Sequence, residues 1–224
     1  MTSTTIKHSA ADIVFEQLSD QIMSLEILPG QKLSEAEIAA KFGISRQPVR
    51  EAFALLDSMA LLEVQPQRAT RVRRFSVSKI EEARFARLAL EIEICKTACA
   101  HWSGIYRPAF QRCLDAQDKA ALRSDAPAFH GLDEDFHSLI ADAAQLPFAT
   151  AQLKQYKTQA DRICILSLQS CNEISDLISD HKLIYDCLMR NAPNELETHL
   201  RTHLSRLTKT VAEVRAAHPE FFEE

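Results

Sequence analysis

Carboxylate and imidazole side chains that commonly bind divalent metals recur at short spacings in the second half of this sequence. Asp133 and His137 lie four residues apart in the segment LDEDFH, so a helix would project both from one face. His181 follows in SDHKLIYDCL, and His199 and His203 lie four residues apart in LETHLRTHL. Taken singly, each histidine is more often a core or surface residue than a ligand. Together, one carboxylate and three imidazoles from three predicted helices form a set that suits zinc, nickel, manganese or iron.

A pair of charges interrupts an apolar helix stripe upstream of these residues. In ARFARLALEIEIC, Arg87 and Glu91 share a predicted helix face with Ile80, Arg84, Ile94 and Ala98. One interpretation is a structural pair four residues apart, which contributes only a few tenths of a kcal/mol. The other is that Arg87 faces a cavity and binds the carboxylate of a ligand through its planar fork. The pattern leaves both interpretations open.

The segment ISRQPVREAFALL places further arginines on the exposed side of a predicted helix, whose buried stripe is formed by Val49, Ala52, Phe53 and Leu56. Arg46 and Arg50 lie in its first turns and face away from that stripe. Positive charge at a helix N-terminus is mildly unfavourable against the helix dipole, so these arginines indicate an external anion or a base edge as partner. The alternative is a solvated face on which Arg50 pairs with Glu51 or Asp57.

Caps and turns encode the elements that must position these arginines. The segment LPGQKL ends a first amphipathic helix, Ser34 and Gly43 bracket a second, and Ser45 opens the third. Two short β-prone runs follow, LLEV and TRVRRF, and QPQRA between them predicts a two-stranded hairpin with Arg68 near its tip. A helix followed by a basic wing is a DNA-reading arrangement, with the helix in the major groove.

The charge distribution agrees with a DNA-binding N-terminal part. The chain has 224 residues and a formal net charge of -5, but residues 1–75 are neutral overall, with nine Lys and Arg against nine Asp and Glu. That part contains a basic cluster that can bind phosphates although the chain as a whole is acidic. The cluster consists of Arg68, Arg71, Arg73 and Arg74.

The predicted organisation is two domains of a mainly α protein. Residues 1–75 are expected to form a winged helix-turn-helix with a small β-hairpin wing. Residues 76–217 are expected to form an all-α bundle of about six or seven helices, since no internal repeat is visible. Residues 218–224 are expected to be a C-terminal tail.

Composition excludes several protein classes. A hydrophobic content of 46% with 4 glycines favours an ordered, helix-rich globular protein. No apolar run has the length of a membrane span, and the N-terminal segment lacks the pattern of a signal peptide, so a cytoplasmic protein without a membrane partner is predicted. The six cysteines lie in helical patterns without paired CxxC spacing and are expected to be reduced thiols.

The order LPGQKLSEAEIAAKFGISRQPVREAFALLDSMALLEVQPQRATRV closely resembles the winged helix-turn-helix of the GntR family of bacterial transcription regulators. The resemblance implies that Arg46 and Arg50 contact DNA from the recognition helix, with Ser45 and Gln47 beside them. It implies a further contact from Arg68 at the wing.

Two positions depart from the family pattern. Family members often carry an arginine where this chain has Ala36, and the tip of the wing usually has a glycine where this chain has Ala69. We therefore expect one phosphate contact fewer from the second helix and a wing that enters the minor groove less deeply.

Over the whole chain, the DNA-binding segment followed by DxxFH, DH and a last-helix HL resembles the FadR subgroup, whose C-terminal ligand-sensing domain is called FCD. The resemblance implies that a divalent metal is bound by Asp133, His137, His181 and His203. His199 is the alternative to His203, one turn away on the same predicted helix.

The predicted function is a homodimeric repressor that binds double-stranded operator DNA. Its effector would be a small organic acid or sugar acid bound at the metal, and the resemblance supports a contact between Arg87 and the effector carboxylate. One alternative is a regulator in which the metal itself is the signal. The other is a metal-dependent hydrolase with Glu134 or Asp135 as general base, but it would leave the DNA-binding segment unexplained, so no catalytic residue is predicted.

Overall fold

The protein consists of two compact units, as described by a computed structural model. The first unit is Met1–Ser76 together with His218–Glu224, and the second is Val77–Ala217. The described part of the chain is mainly helical with a small antiparallel sheet, so the predicted fold class is confirmed. The residues that the structure describes are 9–65, 68–167 and 171–223.

The first unit has a helix-turn-helix core. Its described α-helices are α1 (Ala10–Met23), α2 (Glu35–Phe42) and α3 (Arg46–Ser58). Ser34 caps α2 by accepting a hydrogen bond from the backbone N–H of Glu37 at 3.4 Å, and Gly43 ends it with a left-handed φ of 66°. The apolar stripes of the helices meet in a buried core that includes Val14, Leu18, Ile22, Val49, Phe53 and Leu56. These caps and stripes fix how α3 is presented.

A three-stranded antiparallel sheet completes this unit, in the order β1-β3-β2. Its strands are β1 (Lys32–Leu33), β2 (Leu62–Glu63) and β3 (Thr70–Val72). The β2-β3 hairpin is the predicted wing, and its turn residues Pro66 and Gln67 lie outside the described residues. Sequence patterning predicted only two strands, because β1 is too short to show a period of two. Leu33 pairs with Thr70, so the wing is joined to the residues just before α2.

Residues 218–223, in the predicted C-terminal tail, belong to the first unit. The backbone N–H of Phe75 donates to the carbonyl of Phe221, and the N–H of Glu223 donates to the carbonyl of Phe75, each at 2.8 Å. The rings of Phe75 and Phe222 also lie 5.3 Å apart. Two neighbouring phenylalanines at a chain end were the sequence signal for this packing.

The second unit is a bundle with six α-helices among its described residues. They are α4 (Val77–Ala100), α5 (Arg107–Leu122), α6 (Ala126–Ala143), α7 (Pro147–Ser167), α8 (Cys171–Arg190) and α9 (Pro193–Ala217), with a short 3-10 helix at Gly104–Tyr106. Left-handed residues lie just after three of these helices: Ser124, Gln145 and Asn191. Helix α8 begins at Cys171, directly after residues 168–170, which lie outside the described range.

The core of the second unit is built from aromatic and aliphatic side chains that share one buried cluster. Phe110 stacks on Tyr185 with ring centroids 5.1 Å apart and meets Phe136 edge-on at 5.6 Å. Five cysteines are free thiols, and Cys171 lies outside the side chains that the structure describes. No helix in the described ranges is both long and apolar enough to cross a lipid bilayer.

Candidate functional site

The side chains predicted to read DNA lie at the exposed start of α3. Ser45 occupies the N-cap position with extended backbone, and its hydroxyl makes no capping hydrogen bond within the described part. Arg46, Gln47 and Arg50 are also exposed, and the amide of Gln47 donates to Glu51 at 3.0 Å. The helix therefore presents a polar, cationic first turn above its buried stripe.

Arg50 is paired with a carboxylate that sequence spacing does not indicate. Its Nε donates to Oε2 of Glu35, in the first turn of α2, at 2.8 Å. Asp57, one of the partners expected for a merely solvated face, lies 3.4 Å from Arg73 instead. Because the pair uses Nε, the two terminal nitrogens of Arg50 are the fork that could face a guanine edge.

Arginines of the basic cluster at the wing make different hydrogen bonds within the first unit. Nη2 of Arg73 donates to a carbonyl of β2 at 3.2 Å, and Nη1 of Arg71 donates to the carbonyl of Gly30 at 3.0 Å. Arg68 is exposed, and its Nη1 donates to Oε1 of Gln65 at 2.9 Å. The contacts of Arg73 and Arg71 hold the sheet together, whereas Arg68 lies beside the turn of the wing.

In the second unit, the structure brings together Asp133 and His137 of α6, His181 of α8 and His203 of α9. One ligand atom of each lies within 4.8 Å of the others. The three histidines are at most 5% exposed, and Asp133 is partly buried. His199 is half-buried and outside this group. We call these four residues the His3Asp cluster.

Each histidine of the cluster has its Nδ1 next to a side-chain oxygen from a different helix. The pairs are His137 with Glu91 at 2.9 Å, His181 with Gln117 at 2.9 Å, and His203 with Asp180 at 3.5 Å. The His181 contact is a hydrogen bond, whereas Nδ1 of His137 and Nδ1 of His203 lie near their carboxylates without one among the described residues. Outer contacts of this kind orient metal-binding histidines and leave Nε2 for the metal. Nε2 of His181 is fully buried, lies 3.3 Å from Oδ1 of Asp133 and makes no hydrogen bond to a described residue.

The cluster residues are in the protonation states that a metal requires. Burial lowers the pKa of His137, His181 and His203 below that of free histidine, so the rings are neutral near pH 7. Burial alone would raise the pKa of Asp133, but the ammonium of Lys157 holds it well below its usual range. Neutral imidazoles with one carboxylate fit zinc or a neighbouring first-row metal.

Arg87 reaches the same cluster from α4. Its Nε forms a short pair with Oε1 of Glu91, which is the structural pair considered above. Its Nη2 also lies 3.3 Å from Nε2 of His137. The pair therefore does not turn Arg87 away from the cluster, and it aims the guanidinium at a predicted ligand atom.

Lys157 on α7 is a cluster neighbour that sequence reasoning missed. Its Nζ donates to Oδ2 of Asp133 at 2.9 Å, and it is 4% exposed. Oδ1 of the same carboxylate faces the histidines, so the two oxygens have different partners. The available signal was its place between Leu153 and Ala160, both buried, on the apolar stripe of α7.

A cavity of about 130 Å³ adjoins the His3Asp cluster, and its lining includes Arg87, Asp133 and His203. The two proposed general bases do not belong to the cluster. Glu134 forms a separate group of potential ligands with other side chains, and Asp135 is exposed. The cavity thus joins the cationic side chain of Arg87 to the predicted metal ligands.

Comparison with known proteins gives independent matches in both units. The FCD domain matches residues 82–206, and the bacterial regulatory proteins of the gntR family match residues 10–72. The HTH-type transcriptional repressor RspR of Escherichia coli (strain K12) is 28% identical over 94% of this chain and 92% of its own length. The probable D-xylose utilization operon transcriptional repressor of Paenarthrobacter nicotinovorans is 27% identical over 91% and 87%.

Among solved structures, the fold is similar to that of Escherichia coli McbR/YncC, with a TM-score of 0.76 at 19% identity over 92% of this chain and 99% of that one. At this identity the likeness shows the fold alone. The sequence relatives are transcription regulators and not enzymes, which removes the hydrolase interpretation. Because the FCD match covers more than half of the chain and follows the gntR match, this chain belongs to the GntR family of bacterial transcription regulators and carries an FCD domain.

Proposed function

We propose that this regulator is a repressor of the FadR type, and that a small organic acid or sugar acid bound beside a divalent metal controls its operator binding. The observation that carries the proposal is the His3Asp cluster, in which neutral, buried imidazoles are oriented by outer contacts. Nε2 of His181 is buried without a hydrogen bond to a described residue, and because such a group destabilises a fold it is expected to serve a ligand. A repressor role agrees with the names of the RspR protein and the D-xylose operon repressor.

We assign DNA recognition to the start of α3 and to the wing. Ser45, Arg46, Gln47 and Arg50 are exposed there, and Arg68 is the exposed cation beside the wing turn. Arginine binds the major-groove edge of guanine with two hydrogen bonds, while a wing arginine follows the backbone or minor groove. A homodimer would place two such heads on a near-palindromic operator, because a two-fold dimer requires two half-sites.

The proposed control requires an acid that binds one arrangement of the protein better than another. A divalent metal held by the His3Asp cluster would supply positive charge and a coordination position for a carboxylate. Arg87 contacts His137 and lines the adjoining cavity, so its guanidinium is placed to pair with the same carboxylate. Its pair with Glu91 holds that guanidinium in place before an acid binds.

Thermal unfolding of the full-length protein with measured metal content tests this proposal. The wild type, His137→Ala and the control His199→Ala would each be scanned against hydroxy acids, dicarboxylates and sugar acids. A ligand that binds the native state raises the melting temperature by mass action. We expect one class of acid to stabilise the wild type and the control but not His137→Ala.

Two results would contradict the proposal in different ways. Stabilisation by no acid, with the metal present, would remove the acid as effector. Operator affinity that follows metal concentration alone would then make the ion the signal. A wild-type protein that retains no zinc, nickel, manganese or iron after exposure to each would remove the metal centre itself.

A further inference from the structure

We infer that the effector is a small carboxylic acid with an apolar body, and not a polyhydroxylated sugar acid. The inference rests on the proposed function and specifies the ligand class of the same site. The cavity beside the His3Asp cluster measures about 130 Å³. A water molecule takes up roughly 30 Å³ in the liquid, so this space corresponds to about four water molecules and suits only a small acid.

Apolar side chains contribute much of the wall of this cavity, although its lining also includes His130, Asp161, Ser167 and Lys209. Phe129 of α6 is 1% exposed and packs in a buried cluster with Ile174 and Ile178 of α8. The other apolar side chains that line the cavity are Ala160, Leu177, Leu204 and Leu207. These residues come from α7, α8 and α9, so an apolar ligand body would meet carbon on several sides.

Several polar side chains of the lining are already engaged within the protein. Arg206 donates to both carboxylate oxygens of Asp180, at 2.6 and 3.1 Å, and to Asp176 at 3.1 Å. The hydroxyl of Thr210 donates to the carbonyl of Arg206 at 3.2 Å. A sugar acid would bring several hydroxyls into this space, and each hydroxyl that loses water without gaining a partner weakens binding.

The cationic contacts for the ligand come from α4. Arg84 lies three residues before Arg87, and both line the cavity. Nε of Arg84 is buried and makes no hydrogen bond to a described residue, so it can donate to an entering carboxylate. Two guanidinium groups on one helix, opposite apolar walls from other helices, match a single carboxylate attached to an apolar body.

Hexanoate and gluconate test this inference, because they share a six-carbon chain and one carboxylate and differ in hydroxyls. Each would be titrated into full-length protein of measured metal content, with binding followed by calorimetry and by the melting temperature. We expect hexanoate to bind at least roughly tenfold more tightly, because burial of its methylene groups favours binding. If gluconate binds as tightly as hexanoate, the inference that the effector has an apolar body is wrong.

The same titrations separate the effector class from the proposed function. If gluconate or another sugar acid binds and its effect is lost in His137→Ala, the proposed function stands and the inference fails. If no acid of either kind binds, both fail.

A pair of leucines on α8 locates the apolar contact. Leu177 lines the cavity, whereas Leu183 is 45% exposed. We expect Leu177→Ala to weaken hexanoate roughly tenfold with little effect on gluconate, and Leu183→Ala to change neither. Leu207→Ala provides a second cavity variant if Leu177→Ala does not fold. Equal losses for the two acids, or none, in the cavity variants would place the apolar body elsewhere and overturn the inference.

Discussion

The two units use the same kind of ion pair in opposite environments. In the first unit, Arg50 pairs with Glu35, and their side chains are 58% and 34% exposed. In the second unit, Arg87 pairs with Glu91, and their side chains are 12% and 3% exposed. Sequence spacing predicts only the second pair, because its members lie four residues apart on one helix.

The difference in solvent exposure determines how easily each arginine can change its partner. An exposed ion pair contributes about 0–1 kcal/mol, so water or a base edge can replace either partner at little cost. A buried pair cannot lose one member without leaving an unpaired charge out of water. Arg50 can therefore exchange its carboxylate partner for another group, as binding to DNA would require. Arg87 is held in one orientation, as binding of a ligand carboxylate by a preformed site would require.

The largest expected effect on stability comes from removing a buried carboxylate charge in the second unit, at Asp133. Asp133→Asn removes the carboxylate charge 2.9 Å from the buried ammonium of Lys157 and leaves it only Asp161, at 3.9 Å. We expect the free energy of unfolding of the metal-free protein to fall by about 3–5 kcal/mol. Urea unfolding in the presence of a chelator measures it. Asp135→Asn, an exposed neighbour, should change stability by less than about 0.5 kcal/mol, and equal losses would contradict burial as the cause.

Lys157→Met removes the other partner of that pair. We expect the metal-free protein to lose about 3 kcal/mol, because Asp133 keeps its charge without the ammonium. The zinc-induced rise in melting temperature should be larger than in the wild type, since the carboxylate no longer shares its charge with a cation. Lys154→Met, exposed on the same helix, is the control. A smaller zinc effect than in the wild type would mean that Lys157 supports metal binding by orienting Asp133.

Local patterns were enough to predict the helices, the caps and the spacing of the candidate metal ligands, whereas the choice of His203 over His199 came from the family resemblance. The spacing of Asp133 and His137, and the caps at Ser34 and Gly43, act within one or two helical turns. Such features depend on neighbouring residues and can be predicted from a single sequence.

Contacts between distant segments could not be predicted in this way. Glu35 meets Arg50 across the turn between two helices, and Lys157 meets Asp133 from a different helix. The strand β1 and the packing of residues 218–223 on Phe75 likewise depend on partners far along the chain. Tertiary packing determines these pairs, and the local sequence around each residue indicates them only weakly.

Arg50→Ala tests the exposed side of the comparison. We expect operator binding to weaken by about 2 kcal/mol and binding to random DNA to weaken by less, because a base contact is lost only on the operator. Fluorescence anisotropy at two salt concentrations measures both. Arg112→Ala carries the same charge change on α5 and serves as the control. Equal losses on the two DNAs would show that Arg50 contacts phosphate alone.

The smallest expected effect belongs to Glu35, whose pair with Arg50 is exposed. Glu35→Gln should change the free energy of unfolding by less than about 1 kcal/mol. It should nevertheless lower the ratio of operator to random-DNA binding by roughly threefold. Without Glu35, the guanidinium of Arg50 would lose conformational freedom when it binds the operator, and this ordering weakens binding. Glu37→Gln makes the same charge change on the exposed face of the same helix. If both variants lower the ratio equally, Glu35 acts only through its charge. If only Glu35→Gln lowers it, the exposed pair orients Arg50 for binding to the operator although it contributes little to stability.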